Sequence, residues 1–174
     1  MTILVADNIA DVGIETLKRA GHEVTEQPTL DADGLVEALS SYAPQALIVR
    51  STRVTADALD ASPRLGLIVR AGAGYDTIDV EGASNRGIFV ANCPGKNSVA
   101  VAELTMGIIL ALDRRIPDNV AEARAGHWNK KAFAQAAGIK NRRIGVIGVG
   151  SIGEEVIRRA KAFDLKVVAW SRSL

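Results

Sequence analysis

Cysteine occurs once in this chain, at Cys93, and histidine twice, at His22 and His127; aromatic residues are scarce at 4%. A single cysteine forms no internal disulfide, which fits a reducing cytoplasm. Cys93 stands between Asn92 and Pro94 with no histidine near it in sequence, so a small, partly buried thiol is expected rather than a nucleophile. His127 reads as a surface loop residue, and His22 precedes a strand, so neither is assigned a base role. No apolar run reaches about 18 residues, which excludes a spanning helix. The first residues enter a strand directly, without the pattern of a secretory signal. No basic patch is interleaved with aromatic residues, so a nucleic-acid partner is not expected, and no metal ligands are assigned.

What is present is a chain of 174 residues with 48% hydrophobic content, enough for one domain or one and a fraction. The net charge of +1 conceals an asymmetry. Residues 1–98 hold 8 Lys and Arg against 13 Asp and Glu; residues 99–174 hold 13 against 7. A basic second half suits an anionic dinucleotide, or equally a solvated helix surface.

The most informative stretch is Arg143-Ile-Gly-Val-Ile-Gly148-Val-Gly150-Ser151-Ile152-Gly153. A β-forming run, Ile144 to Ile147, leads into Gly-x-Gly-x-x-Gly. A helical run follows from Glu154 to Phe163, then a second strand from Lys166 to Trp170. That context makes the glycine pattern a specific sign of dinucleotide binding. Gly148 permits the tight turn, Gly150 lets a pyrophosphate approach the backbone, and Gly153 lets the helix pack against the strand. The helix N-terminus, with Ser151 and Ile152 just ahead of it, would then hold the phosphates. At the end of the second strand an acidic residue would select NAD. Ser171-Arg172-Ser173 stands there instead. Arg172 can pair with a 2′-phosphate, and the two serines can hydrogen-bond it, so NADP is favoured over NAD. The plainer alternative is a solvated turn with weaker NAD binding.

The first 92 residues repeat a βα pattern. Strands are expected at Ile3–Ala6, Glu23–Glu26, Ala46–Val49, Leu67–Arg70 and Ile88–Ala91, with helices over Ala10–Ala20, Asp31–Tyr42, Thr55–Ser62 and Thr77–Arg86. Asp31 and Thr55 have the character of N-caps, and Gly21 that of a helix C-terminal glycine. Apolar strands separated by helices imply a parallel sheet covered on both faces, in a flavodoxin-like α/β domain. Two loops follow carboxyl ends of strands, where such sheets bind ligands. One is Arg50-Ser51-Thr52-Arg53; the other is Arg70-Ala71-Gly72-Ala73-Gly74-Tyr75-Asp76. Free N–H groups in the second can hold a small anion such as a carboxylate, and Arg50, Arg53 and Arg70 add bidentate donors. The plain alternative is surface arginines and an ordinary turn.

Asn92-Cys-Pro-Gly-Lys-Asn97 is rich in chain breakers and marks the domain boundary. The helix expected from Ser98 to Arg114 is apolar nearly all round, so it must be buried on most sides, between domains or in a dimer interface. A further helix is expected over Pro117–Ala125, then a loop with His127 and Trp128.

Four motifs occur in order: Arg50-Ser-Thr-Arg-Val-Thr-Ala-Asp57, Arg70-Ala-Gly-Ala-Gly-Tyr-Asp-Thr-Ile-Asp79, Asn97-Ser-Val-Ala-Val-Ala-Glu103 and Gly148-Val-Gly-Ser-Ile-Gly153. Together they resemble the first part of a D-isomer-specific 2-hydroxyacid dehydrogenase, most closely the phosphoglycerate-oxidising branch that serves serine biosynthesis. The resemblance implies a substrate domain over 1–97 and the first part of a Rossmann NAD(P)-binding domain over 98–174. It implies that the Gly72–Gly74 loop holds a substrate carboxylate through backbone amides. It further implies that Arg50, Ser51, Arg53, Arg70 and Asn97 contact the substrate, and that Ala73 meets the nicotinamide end of the cofactor. A homodimer through the 98–114 helix is also implied.

Two departures qualify this expectation. Phosphoglycerate oxidisers mostly carry Asp where Ser171 stands, whereas glyoxylate and hydroxypyruvate reductases of the family use NADP. The family's catalytic Arg, Glu and His fall later than Leu174, so no catalytic residue is assigned and the isolated chain is expected to be inactive. A general acid/base alone contributes ~10²–10⁴-fold. Two strands of a cofactor sheet would also leave an exposed apolar edge. The competing expectation is a non-catalytic dinucleotide-binding or assembly module, similar to the C-terminal binding protein corepressors. A flavodoxin-like domain for another nucleotide or S-adenosylmethionine is a third, weakened by the other motifs.

Overall fold

The computed structural model describes residues 1–172. It divides into two compact units, Met1–Lys96 and Asn97–Leu174. In order the first contains β1 (Thr2–Val5), α1 (Asp11–Arg19), β2 (Glu23–Glu26), α2 (Ala32–Tyr42), β3 (Ala46–Val49), α3 (Ala56–Asp60), β4 (Leu67–Arg70), α4 (Val80–Asn85) and β5 (Phe89–Ala91). The second contains α5 (Ser98–Asp113), α6 (Ile116–Arg124), α7 (Lys130–Phe133), β6 (Arg143–Ile147), α8 (Ser151–Ala162) and β7 (Lys166–Trp170).

The first unit is a five-stranded sheet in the order β2-β1-β3-β4-β5, with every neighbouring pair parallel. This is the doubly wound order of the flavodoxin-like fold. Side chains alternate across the strands, so one chain segment feeds two cores. Leu4, Leu47 and Ile68 enter the core that holds Leu35 and Leu39 of α2, Leu59 of α3 and Ala83 of α4. Ile3, Val5 and Ala46 point the other way, onto Ile14 of α1. Leu4, Leu35, Leu39 and Leu47 are fully buried, and truncating any of them to Ala costs about 2–5 kcal/mol.

Helix starts follow local chemistry. Asp31 caps α2 by accepting from the N–H of Gly34 at 2.8 Å, and Thr55 caps α3. Gly21, at φ +81°, ends α1 as a C-terminal glycine does. The helix expected over Thr77–Arg86 is shorter. Ile78 pairs with Val54 as an isolated bridge, and Asp79 caps the helix by accepting from the N–H of Gly82 at 2.9 Å. Extended pairing therefore takes Thr77 and Ile78 out of the helical run.

In the second unit β6 and β7 run parallel, with Arg143 opposite Lys166 and Ile147 opposite Trp170. α8 packs on one face of this ribbon and against α5, around Met106, Ala160 and Leu165. The other face, carrying Ile147, Val168 and Trp170, is exposed, although parallel sheets are normally covered on both faces. α5 departs from expectation: only Ser98, Ala102 and Met106 are buried, while Leu104, Ile108 and Leu112 form an exposed stripe at fourfold spacing. α7 was not expected. Asn129 caps it and Arg115 lies 5.1 Å from the ring centre of Phe133, contacts that no hydrophobic period in Lys-Lys-Ala-Phe announces.

Candidate functional site

In the first unit, the loops leaving β1, β3, β4 and β5 at their carboxyl ends carry the polar groups. Asp7, two residues beyond β1, is buried. Its Oδ2 accepts from the N–H groups of Arg50 at 2.7 Å, Ser51 at 3.0 Å and Thr52 at 3.0 Å. Its Oδ1 accepts from the Ser51 hydroxyl at 2.7 Å. Burial pushes the Asp7 carboxyl up. The hydrogen bonds from the Arg50 and Thr52 N–H groups and from Ser51 outweigh it and hold the carboxyl at about 2. Arg50 and Arg53 are exposed, and among the described residues neither guanidinium has a partner.

The loop after β4 is held by its carbonyls. Asn92, just past β5, donates Nδ2–H to the carbonyl of Ala73 at 2.7 Å, and the N–H of Cys93 donates to the carbonyl of Gly72 at 2.9 Å. The N–H groups of Ala73 and Gly74 donate to nothing in the described chain. A turn with carbonyls tied inward and two N–H groups free is suited to a carboxylate. Arg70 folds back over it: a Cβ on Gly72 would lie 1.7 Å from the Arg70 Nη1. The Arg70 Nε is buried without a partner, as is the Thr77 hydroxyl. Asn97 opens the second unit at the start of α5, and its side chain caps nothing.

In the second unit the glycine turn joins β6 to α8. Gly148 has φ +93°, a conformation that favours glycine. A Cβ on Gly153 would stand 2.2 Å from the carbonyl oxygen of Gly148, so helix and turn meet only because that side chain is missing. Gly150 is different: a Cβ there would meet nothing within 4 Å, and its φ is −94°. The chain itself imposes no need for glycine at this position. Gly150 is also the N-cap, so no side chain satisfies the first turn of α8. Among the described residues, the N–H groups of Ser151, Ile152 and Gly153 find no acceptor. The Ser151 hydroxyl is 3.0 Å from that of the buried Ser98. A cleft of about 600 Å³ lies here, lined by Thr105, Gly148, Gly150, Ser151 and Gly153. These residues fit a dinucleotide pyrophosphate. α8 begins at Ser151 rather than at the expected Glu154, which places Gly153 inside its first turn and Gly150 at its N-cap.

Beyond β7, Ser171 is half-buried and Arg172 exposed; Ser173 lies outside the described residues. His127 pairs with Glu122 at 3.3 Å on an exposed surface. His22 precedes β2, at the opposite end of the sheet from the loops above. Cys93 is half-buried, and only its backbone takes part in the loop. No cluster of His, Cys, Asp or Glu suited to a metal ion occurs among the described residues, and no described helix is long and apolar enough to cross a membrane. Sequence reasoning missed Asp7 and Asn92. Each is a short polar residue within two positions of a strand's carboxyl end.

Residues 3–170 match the family described as D-isomer specific 2-hydroxyacid dehydrogenase, catalytic domain. D-3-phosphoglycerate dehydrogenase of Methanocaldococcus jannaschii is 40% identical over 169 residues, 97% of this chain and 32% of that protein. The chain thus spans about a third of the length of that relative. Among solved structures, the NAD⁺-bound 3-phosphoglycerate dehydrogenase of Entamoeba histolytica is 28% identical with a TM-score of 0.79, over all of this chain and 55% of the other. An acyclic imino acid reductase in complex with NADPH and D-Arg is 29% identical with a TM-score of 0.84, over 99% and 57%. With the matched residues running almost end to end, this chain belongs to the D-isomer specific 2-hydroxyacid dehydrogenase family.

Proposed function

We propose that this chain provides the substrate domain and the dinucleotide-phosphate cradle of an NAD(P)-dependent oxidoreductase acting on a small D-2-hydroxy acid, with 3-phosphoglycerate as the substrate. The observation that carries this reading is the loop after β4. Its carbonyls are tied to Asn92 and Cys93, its N–H groups at Ala73 and Gly74 are free, and Arg70 is folded over it without a partner. That arrangement suits a carboxylate. Arg50 and Arg53, uncompensated on the neighbouring loop, suit a second anionic group such as a phosphate. Gly148, Gly150 and Gly153, with the first turn of α8, would hold the cofactor pyrophosphate. The bound nicotinamide would supply the hydride acceptor. Ser171 beyond β7, in place of a carboxylate and with Arg172 beside it, supports NADP over NAD, and the same feature supports an NADP-dependent glyoxylate or hydroxypyruvate reductase as the second reading.

Calorimetric titration of the chain with 3-phosphoglycerate, glyoxylate and hydroxypyruvate tests the proposal. Saturable binding of 3-phosphoglycerate, weakened about tenfold or more by Arg50→Ala, is expected. Tighter binding of glyoxylate than of 3-phosphoglycerate would move the assignment to the reductase. No binding of any of the three would remove the substrate-domain role.

A further inference from the structure

We propose that Asp7 is the positioning residue of the loop after β3, occupying its backbone amides so that this loop meets an anionic substrate through the guanidinium groups of Arg50 and Arg53. The proposal rests on the substrate-domain reading above. Three consecutive N–H groups converging on one point form a nest, an arrangement that ordinarily receives an anion from outside the chain. Here the chain's own carboxylate fills it. Asp7 Oδ2 takes all three N–H groups at 2.7–3.0 Å, and Oδ1 takes the Ser51 hydroxyl proton. Thr52 is committed elsewhere, its hydroxyl donating to the carbonyl of Leu30 at 3.2 Å. A carboxylate or phosphate ligand only accepts hydrogen bonds. The donors left to it on this loop, among the described residues, are therefore the two guanidinium groups and the Arg53 N–H. The two neighbouring loops thus differ: after β4 the amides of Ala73 and Gly74 are without acceptors among the described residues and the carbonyls of Gly72 and Ala73 are tied, whereas after β3 the amides of residues 50–52 are tied. Asp7 also fixes the backbone from which Arg50 projects, because the Arg50 N–H is its shortest backbone contact. Removing the charge should release residues 50–52 and loosen the aim of Arg50, without contact between Asp7 and the ligand.

The test uses the full 174-residue chain, isotopically labelled, with 3-phosphoglycerate as the probe in NMR titrations. The Nε–H signals of Arg50 and Arg53 are expected to shift on binding, while the amide signals of Ser51 and Thr52 stay in place. Asp7→Asn is expected to raise the dissociation constant about tenfold or more and to speed amide exchange at 50–52, with NADPH affinity kept within about twofold. Ligand-induced shifts centred on the Ser51 and Thr52 amides, or an Asp7→Asn chain that binds like the parent, would overturn the proposal. If the parent chain fails to bind 3-phosphoglycerate, the substrate reading has failed on its own account. Amide exchange then decides the role of Asp7: protection at 50–52 that survives Asp7→Asn overturns it, and loss of protection upholds it. Should Asp7→Asn fail to fold, scalar couplings across the hydrogen bonds from the Arg50, Ser51 and Thr52 nitrogens to the Asp7 carboxyl carbon decide in the parent chain. Their presence upholds the assignment and their absence overturns it.

Discussion

Asn92 donates its side-chain N–H to the carbonyl of Ala73 at 2.7 Å, joining the segment after β5 to the glycine loop after β4. This bond turns the Ala73 peptide so that its carbonyl faces the protein. Replacing Asn92 with Ala leaves that carbonyl without its donor and frees the peptide to rotate. A half-buried hydrogen bond of this kind contributes about 0.5–1.5 kcal/mol. Asn92→Ala should therefore weaken 3-phosphoglycerate binding about three- to tenfold. Melting of the first unit should shift only slightly. Calorimetric titration checks the first outcome and differential scanning calorimetry the second.

Asp7 makes the first unit sensitive to acid. Its folded carboxyl titrates at about 2, below the ordinary 3.8, because three backbone N–H groups and a hydroxyl favour the charged form over the opposing effect of burial. A depressed folded value means that the stabilisation is complete above the ordinary carboxyl range and is lost as pH falls through about 2. Its size is about 2 kcal/mol. Hydrogen exchange at the core amides of Leu4 and Leu47 should show this loss on acidification in the parent chain. In Asp7→Asn the corresponding decrement should be absent.

The α/β class and the parallel sheet were legible in the sequence because β1, β3, β4 and β5 are short apolar runs separated by helical periods. Asp31 and Thr55 act as the caps their positions suggest. The misjudged boundaries have tertiary causes. Thr77 and Ile78 are drawn out of a helical run by pairing with Val54, and α7 depends on the Asn129 cap and the Arg115–Phe133 stack. Candidate ligand-facing residues were visible where they recur as motif letters: Arg50, Arg70, Gly72, Gly148. The residues that orient them were not. Asp7 acts on residues more than forty positions away, and Asn92 on a loop 19 positions earlier. A single sequence carries no record of such pairings.

Gly150 and Gly153 should respond oppositely to the same substitution. Gly153→Ala drives a Cβ to 2.2 Å from the Gly148 carbonyl, so helix and turn must separate. Overpacking against backbone costs about 1–3 kcal/mol, and thermal unfolding of the second unit should fall accordingly. At Gly150 a Cβ meets open space at a φ any residue adopts. Gly150→Ala should hold stability within about 1 kcal/mol, the scale of an N-cap change. It should still weaken dinucleotide binding about tenfold or more, because the methyl group occupies the approach of the phosphates. Paired melting and fluorescence titrations with NADPH separate the two effects.

The stripe Leu104, Ile108 and Leu112 on α5 is exposed and lies at the spacing of one helical face. A homodimer through α5, which the sequence resemblance implies, would cover it. Ile108→Arg should shift the chain from dimer to monomer in sedimentation velocity at micromolar concentration, since an unpaired charge in an apolar interface is strongly disfavoured. A parent chain that sediments as a monomer at every concentration would instead rule out α5 as a self-association face.

In the proposed reading, Arg172 separates the two cofactors. The 2′-phosphate distinguishes NADP from NAD, and a guanidinium recognises it through paired, charge-assisted hydrogen bonds. Losing a hydrogen bond to a charged group costs about 1.5–3 kcal/mol. Arg172→Ala should accordingly raise the NADPH dissociation constant about ten- to a hundredfold and change that of NADH about twofold or less. Fluorescence titration with both nucleotides measures the contrast. Equal weakening for the two would mean that Arg172 acts through general charge or through the fold of the turn, and the choice of NADP would lose its support. A second variant sharpens the test: Ser171→Asp introduces the carboxylate associated with ribose-hydroxyl recognition. It should invert the preference toward NADH if the side chain beyond β7 faces the adenosine ribose.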